Sequence, residues 1–331
     1  MVSIIPVADL DQLGRITPHE ALSPFDVALC RAHRCQAHVL ALLDGLVVAR
    51  CSLWWTDTPD LPGQRSGVVG HFAALNTGGA AELLEAACHE LAAHGCTLAI
   101  GPMDGNTWRR YRCLTERGAE PPFFLEPDNP DDWPKWFEHA GFSPLAAYFS
   151  AVAEDLSLED PRIPRAAGRL EKQGVRIRPL SEPHFLDDLR RIYAVARMSF
   201  QSNFLYTPIE EPEFLAQYEP VRAHIRSELV MLAEQDQHPI GFVFAIPDLL
   251  QARRGPVDTV VLKTVAVLPG RAHAGLGSVL VARCHQAARA RGFRRVIHAL
   301  MHQDNSSLNI SGHYAKPFRR YTLHSHPLLS P

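Results

Sequence analysis

The run TVVLKTVAVLPGRAHAGLGSVLVARCHQAARARG, Thr259 to Gly292, constrains the fold of this chain more than any other stretch. A β-branched segment, Val257 to Leu268, predicts a buried strand that stops at Pro269-Gly270. The chain then turns through Arg271, Ala272, His273, Ala274, Gly275, Leu276 and Gly277. A helix is predicted from about Leu276 to Arg291, closed by Gly292. Small residues at 272, 274, 275 and 277 let a bulky anion approach the backbone, and the first-turn N–H groups of a helix have no intrahelical acceptor. A pyrophosphate suits such a loop, although a tight turn built for packing requires the same residues.

The neighbourhood narrows the choice. A dinucleotide fingerprint would open a βαβ unit with three glycines, and a Walker loop would need Gly-Lys-Ser/Thr. This loop has neither feature and follows strands with antiparallel character. Those elements are a strand at Val175 to Leu180, a helix from Ser181 to about Phe200, and a strand pair, Leu229 to Glu234 and Ile240 to Ile246, around a turn at Gln235 to Pro239. After the Gly loop come a strand, Arg295 to Met301, a short helix near Ser306 to Tyr314, and a last strand, Arg320 to Ser325.

The first half gives a weaker copy of this order. A hairpin-like pair spans Ala37 to Trp55 around Asp44-Gly45; a strand, Gly67 to Leu75, precedes Gly78-Gly79. A helix at Ala81 to His94, a strand at Thr97 to Ile100, a helix at Trp133 to His139 and a closing strand at Leu145 to Val152 follow. The expected division is 1–155, a linker at 156–174, and 175–331; Pro161, Pro164 and Gly168 argue against one continuous helix through the linker. At 331 residues the chain has the length of two domains. The fold class expected is α/β (α+β), in two similar domains, each a mixed, mostly antiparallel twisted sheet flanked by helices.

The second half, Val175 to Ser325, resembles the GCN5-related N-acetyltransferase (GNAT) superfamily. There a fourth strand ending V-x-P leads to a Q/R-x-x-G-x-G/A loop, and Val267-Leu268-Pro269 with Gly275-Leu276-Gly277 fits that frame. Asn305, Ser306, Ser307, Ser311, Tyr314, Lys316 and Phe318 match the Asn turn and Tyr-bearing helix beyond the fifth strand. Two departures stand out. Ala272 occupies the Gln/Arg position, with Arg271 one residue away, and the step from Asn305 to Tyr314 is two residues longer than usual, which makes Asn309 the other candidate.

The resemblance implies acetyl-CoA as co-substrate, held by loop 271–277, by main chain near Val265 and Val267, and by Asn305. It implies direct transfer of an acetyl group, in a ternary complex, to a primary amine of a small molecule or peptide. Tyr314 is either the acid that protonates the departing thiolate or a core tyrosine; Ser311, one turn earlier, supports the thiolate or caps a bend. Glu211, with Glu210, lies where an acceptor loop is expected and is the candidate base, or else starts a solvated helix. Arg271 and His273 contact phosphates or are ordinary loop residues. Lys263, in an apolar strand, faces either a site or a sheet edge.

The first half has no Gly-x-Gly at its helix start, and Glu82 and Glu85 there would repel a pyrophosphate. It reads as a degenerate copy without CoA, whose loop residues Asp104, Asn106, Trp108, Arg109, Tyr111 and Phe124 form part of an acceptor pocket or a domain interface.

With 33 Lys and Arg against 36 Asp and Glu, the net charge of -3 gives no pull toward nucleic acid or anionic lipid. The same balance disfavours an aminoacyl-tRNA-dependent peptide ligase, another function found on tandem GNAT-like folds. A non-catalytic acyl-CoA-binding or scaffold module is the reading from a different class. Seven irregularly spaced cysteines point to reduced thiols, and a cytoplasmic chain without signal peptide or membrane span is expected. Cys30, His33, Cys35 and His38 are ligand-type residues without a CxxC or a separated second pair, so a helix face and no metal is expected. Oligomeric state is not readable.

Overall fold

The computed structural model describes residues 2–7, 12, 17–304 and 307–328; of residue 307 it describes the backbone only. In the first half, β1 (Ser3–Val7), α1 (Val27–His33), β2 (Ala37–Leu43), β3 (Leu46–Trp54), β4 (Ser66–Ala74), α2 (Thr77–Ala93), β5 (Leu98–Gly101), β6 (Cys113–Glu116), α3 (Trp133–His139) and β7 (Ser143–Ala153) follow in order. Helix α4 (Ile163–Lys172) connects to β8 (Arg176–Pro179), α5 (Phe185–Ser199), α6 (Glu211–Ala216), β9 (Val230–Gln235), β10 (His238–Pro247), β11 (Thr259–Val267), α7 (Leu276–Ala290), β12 (Arg295–His302), α8 (Ser307–Tyr314) and β13 (Lys316–Pro327). The connecting segment is thus in part a ten-residue helix, with Pro164 in its first turn, where proline's missing N–H costs nothing. Gly78 and Gly79 are not in a loop but open α2, where the Asn76 side chain accepts the Gly79 N–H at 2.8 Å.

The described strands form one mostly antiparallel sheet in the order β1-β2-β3-β4-β5-β13-β7-β12-β11-β10-β9-β8, with β6 also pairing β13. Its two halves repeat a pattern. β4 and β5 are parallel, as are β11 and β12, while the neighbours on either side are antiparallel. At the join the halves interleave. The last strand, β13, pairs with β5 of the first half, and β7, from the first half, pairs with β12 of the second. β7 and β13 pair with each other over most of their length. This exchange gives each half a full sheet and leaves no edge where they meet.

Burial follows strand alternation. Along β11, Val260 and Leu262 pack with Leu276, Val279 and Leu280 of α7, whereas Val261 packs with Leu189 and Ile192 of α5 on the opposite face. A strand covered on both faces must read as a continuous apolar run, which is why 257–268 is so rich in valine. In the first half α2 covers β2 to β4 through Leu83, Leu84 and Leu91.

Candidate active site

The parallel pair β11–β12 is paired only from Thr259–Arg295 to Leu262–His298. Both strands then change course. On β11 the pairing with β10 skips Lys263, between Leu262 opposite Ala245 and Thr264 opposite Phe244. On β12 the pairing with β7 skips Ala299 and Leu300, where Leu300 has φ 61° and donates its N–H to Ser150 Oγ at 3.0 Å. Such bulges turn a strand locally. β12 follows β7 while β11 follows β10, so the side of Thr264 to Val267 away from β10 has no strand partner among the described residues.

The Gly loop lies beside this opening. Gly275 is the N-cap of α7 at φ 82°, a left-handed conformation that strains any other residue, and residues 271–275 are largely exposed. The first-turn amides of Leu276 and Gly277 are donors of the kind a helix start leaves over. A Cβ on Gly277 would come within 3.3 Å of Ile310 Cδ1 and 3.8 Å of Val267 Cγ2. Arg271 to His273 form a 3-10 turn in which the Ala274 N–H donates to Arg271 O at 3.2 Å, and His273 Nδ1 lies 3.1 Å from Leu268 O. Arg169 of α4, which the sequence reading did not single out, donates to Ala274 O and would lie 3.6 Å from a Cβ on Gly275. It places a guanidinium at the loop where the family frame has a loop side chain.

On the other side of the opening stands a buried chain of polar rings. Ser311 Oγ lies 2.9 Å from His298 Nδ1, and His298 Nε2 lies 2.8 Å from His285 Nε2. The His285 ring packs edge-on against Tyr314, with centroids 4.8 Å apart. Burial lowers both histidines far below an ordinary imidazole, His298 to about 3 and His285 to about 4, so both are neutral near pH 7. Burial raises the Tyr314 phenol, and its hydroxyl has no hydrogen-bond partner among the described residues. Ser311 reaches the cavity described below; Tyr314 lies behind it, in the core formed with α7.

The opening leads into a cavity of about 1400 Å³ between the two halves. Val261 to Val265, His298 to His302 and Ser311 line its second-half side, and Asp104, Trp108, Arg109, Tyr111 and Arg112 line the first-half side. The walls are tied together. Arg109 Nη2 lies 2.6 Å from Glu213 Oε1, and the Trp108 indole donates to Thr207 O at 2.7 Å. The Arg112 guanidinium lies 3.8 Å and 4.2 Å from the ring centres of Tyr111 and Tyr148. Lys263 also faces the cavity, its Nζ 4.7 Å from the Tyr218 ring centre.

Of the residues expected at the site, Val265 and Ser311 line the cavity, and loop 271–277 adjoins it through Gly277, which lies beside Val267 and the cavity-lining Ile310. It does not bring Glu211 there. Glu211, half-buried on α6, pairs with Arg190 at 3.2 Å, and Glu213, two residues on, is the one of the two that lines the cavity. A six-residue helix beginning at Glu211 cannot be phased from sequence, which is why the expected carboxylate and the cavity-lining one differ by two residues. Asn305 lies outside the described residues, and Asn309 is exposed on α8. Asn106 is buried and accepts the Trp108 N–H at 3.0 Å, while Phe124 donates its N–H to Asp248 Oδ1 at 2.8 Å.

The equivalent opening of the first half is filled. β4 and β5 pair only over Ser66–Leu98 to Val68–Ile100. Beyond it the segment after β5 lies along β4: Met103 N–H donates to Val69 O at 2.9 Å, and His71 N–H to Asp104 Oδ1 at 2.6 Å. The contact is so close that a Cβ on Gly70 would sit 2.0 Å from Met103 O.

Comparison with known proteins agrees with this geometry. Residues 189–309 match the model of the Acetyltransferase (GNAT) family. Protein YghO of Escherichia coli (strain K12) is 23% identical over 176 residues, covering 52% of this chain and 44% of YghO, so the match spans under half of that relative. Among solved structures, a GCN5-related glucosamine N-acetyltransferase region in a fungal multi-domain GH3 β-N-acetylglucosaminidase has TM-score 0.55 at 14% identity, covering 98% of this chain and 38% of that one. A GCN5-related N-acetyltransferase from Sphaerobacter thermophilus has TM-score 0.51 at 13% identity, covering 88% and 80%. A tandem GNAT protein from the clavulanic acid biosynthesis pathway has TM-score 0.50 at 14% identity, covering 99% of both chains. At such identities the likeness to the solved structures is one of fold. Among the described residues no helix is long and apolar enough to cross a membrane.

Proposed function

We propose that this chain, which carries a GNAT-family domain in its second half, is an acetyl-CoA-dependent N-acetyltransferase acting on a primary amine of a small molecule or peptide. The observation that carries this reading is the opening between β11 and β12, flanked by the N-terminus of α7 and leading into the cavity between the halves.

The residues present fit acyl-CoA. The amides of Leu276 and Gly277, with Arg169 beside them, would hold the pyrophosphate, since anions are stabilised at a helix N-terminus and guanidinium adds charge-assisted hydrogen bonds. The unpaired edge of Thr264 to Val267 would take the amide-bearing arm as a further strand would be taken. When bound, acetyl-CoA supplies an activated thioester. The hydroxyl of Tyr314, without a hydrogen-bond partner among the described residues and one turn of α8 behind Ser311, is the group proposed to give a proton to the departing sulfur, with Ser311, fixed by His298, as its companion at the cavity wall. The filled opening of the first half supports a division of labour in which units near 1–155 shape the acceptor side and only 175–331 holds acyl-CoA.

On the acceptor side we assign Glu213 rather than Glu211. Arg109 holds Glu213 through Oε1, by Nε at 2.8 Å and Nη2 at 2.6 Å, which fixes the carboxylate against the cavity and leaves Oε2 for an incoming ammonium. The aromatic walls, Trp108, Phe214 and Tyr218 among them, favour an acceptor with an apolar body beside its amine. The test is amine-dependent release of free thiol from acetyl-CoA across a panel of amines. Glu213→Gln should raise the amine KM by about 10- to 100-fold, the worth of one hydrogen bond to a charged group, and leave acetyl-CoA affinity unchanged. No thiol release with any amine, with acetyl-CoA bound, would favour a non-catalytic acyl-CoA-binding module instead.

A further inference from the structure

Outside the acyl-transfer site, the first half gathers five ligand-type side chains at one point. Cys30 and His33 come from α1, Cys35 from the turn after it, His38 from β2 and His71 from β4. The spacing of the first four residues predicts a helix face; the fold corrects this, because only Cys30 and His33 lie on α1 and His71 joins them from 33 residues beyond His38. We propose that Cys30, Cys35 and His71 bind one zinc ion whose fourth position opens on the cavity.

Geometry carries the assignment. One ligand atom from each of the three residues lies within 4.8 Å of the others. Zinc bonds of about 2.3 Å to sulfur and about 2.0 Å to nitrogen give tetrahedral edges of roughly 3.5–3.8 Å, so small side-chain rotations close the site. Cys30 Sγ is already 3.1 Å from His71 Nδ1. The outer atoms are arranged as a metal site needs them. His71 Nε2 lies 2.9 Å from His33 Nδ1, which fixes the ring and turns Nδ1 toward Cys30; Nδ1 is also 2.9 Å from Ser52 Oγ, a contact that the ion would replace. Cys35 Sγ lies 3.3 Å from His38 Nε2, and His38 Nδ1 lies 2.8 Å from the buried Ser52 hydroxyl. His71 is held in place from its backbone as well, at φ 46° with its N–H on Asp104 Oδ1 at 2.6 Å.

The chemistry of the donor set decides the metal. Two thiolates and one neutral imidazole suit zinc, and binding releases the thiol protons to give a complex of zero net charge. A core has no need of this set. Thiol and imidazole are weakly matched hydrogen-bonding partners, and an apolar side chain would fill the space beside Phe25 and Trp54 more favourably. Three protein ligands with an open position are the pattern of a site that meets water or a ligand, and Cys30, His33 and His71 all line the cavity shared with the second half. The inference is independent of the acyl-transfer reading, since none of its ligands touches the Gly loop or the β11–β12 opening.

The test uses the full chain, purified without chelator. Elemental analysis should find about one zinc per chain. Cobalt(II) exchanged into the protein should give tetrahedral d–d bands with thiolate-to-cobalt charge transfer. Both signals should be lost in Cys30→Ser and in His71→Gln, and retained in Cys88→Ser, which alters a buried cysteine on α2. Circular dichroism confirms that the variants are folded; if they are not, the wild-type charge-transfer intensity, read against two-thiolate standards, still decides. Folded wild-type protein that takes up neither zinc nor cobalt would overturn the proposal. So would uptake unchanged in both variants, or a Cys30–Cys35 disulfide in protein freshly prepared under reducing conditions.

Discussion

Replacing Arg319 with leucine is expected to destabilise the protein by about 3–5 kcal/mol, the range for breaking one side of a buried ion pair. Arg319 on β13 and Glu126 are both fully buried, with Nε 2.8 Å from Oε1. The guanidinium also donates to the carbonyls of Glu120 and Pro121, each at 2.7 Å, and to that of Arg117. Tyr321, two residues along, donates its hydroxyl to the same Glu126 Oε1 at 2.5 Å. One side chain therefore anchors the acid- and proline-rich loop 117–126 to the strand that joins the two halves. Burial already raises the Glu126 carboxyl, and without Arg319 it would be protonated or left as an unpaired charge. Equilibrium urea denaturation checks the value. The double replacement with Glu126→Leu should recover much of the loss, because the stranded charge goes too. A loss under about 1 kcal/mol in the single variant would mean that the loop is held by other contacts.

Tyr314→Phe should lower kcat by about 100-fold or more while leaving acetyl-CoA affinity and folding stability nearly unchanged. The Tyr314 hydroxyl has no hydrogen-bond partner among the described residues. A buried O–H without an acceptor costs about 1–3 kcal/mol, so deleting it cannot weaken the fold through a lost hydrogen bond. The ring contact with His285, at 4.8 Å, is kept by phenylalanine. A residue that served packing alone would give unchanged kcat, and steady-state thiol release beside thermal denaturation separates the two roles. Ser311→Ala should act differently: it also removes the partner of His298 Nδ1, so its effect on kcat would come with a loss of stability.

The Gly loop and the strand before it were legible because local rules fix them: Pro269 ends a strand, Gly275 must take φ 82°, and α7 must begin there. Most strands and long helices of both halves were legible for the same reason, down to α3 at Trp133–His139, whereas the short β1, α1, β6 and α6, and α4 within the expected linker, were not. The exchange of β7 and β13 was not. Nothing in the alternation of Leu145 to Val152 says which neighbour a strand will find, and pairing partners are set by packing across the whole sheet. The cavity wall was partly legible, since Asp104, Trp108, Arg109 and Tyr111 stood out as a loop too aromatic and charged to be filler. Glu213 and Arg169, proposed for the amine and the pyrophosphate, did not stand out because the side that a residue of a short helix faces depends on where the helix begins. His71 was missed because it meets Cys30 and Cys35 only through the sheet. The plug of the first-half opening left one trace in sequence, Gly70, the residue that lets Met103 approach.

The most direct test of the account is calorimetric titration of acetyl-CoA into the wild-type chain and into the Gly275→Glu, Gly277→Glu double variant, with circular dichroism to show that both are folded. A side chain at 275 is strained at φ 82°, one at 277 meets Ile310 Cδ1 at 3.3 Å, and two carboxylates at the start of α7 oppose a pyrophosphate. The account predicts one site in the wild type and affinity reduced about 100-fold or more in the variant. Wild-type protein that does not bind acetyl-CoA, or a folded variant that binds it equally well, would contradict it.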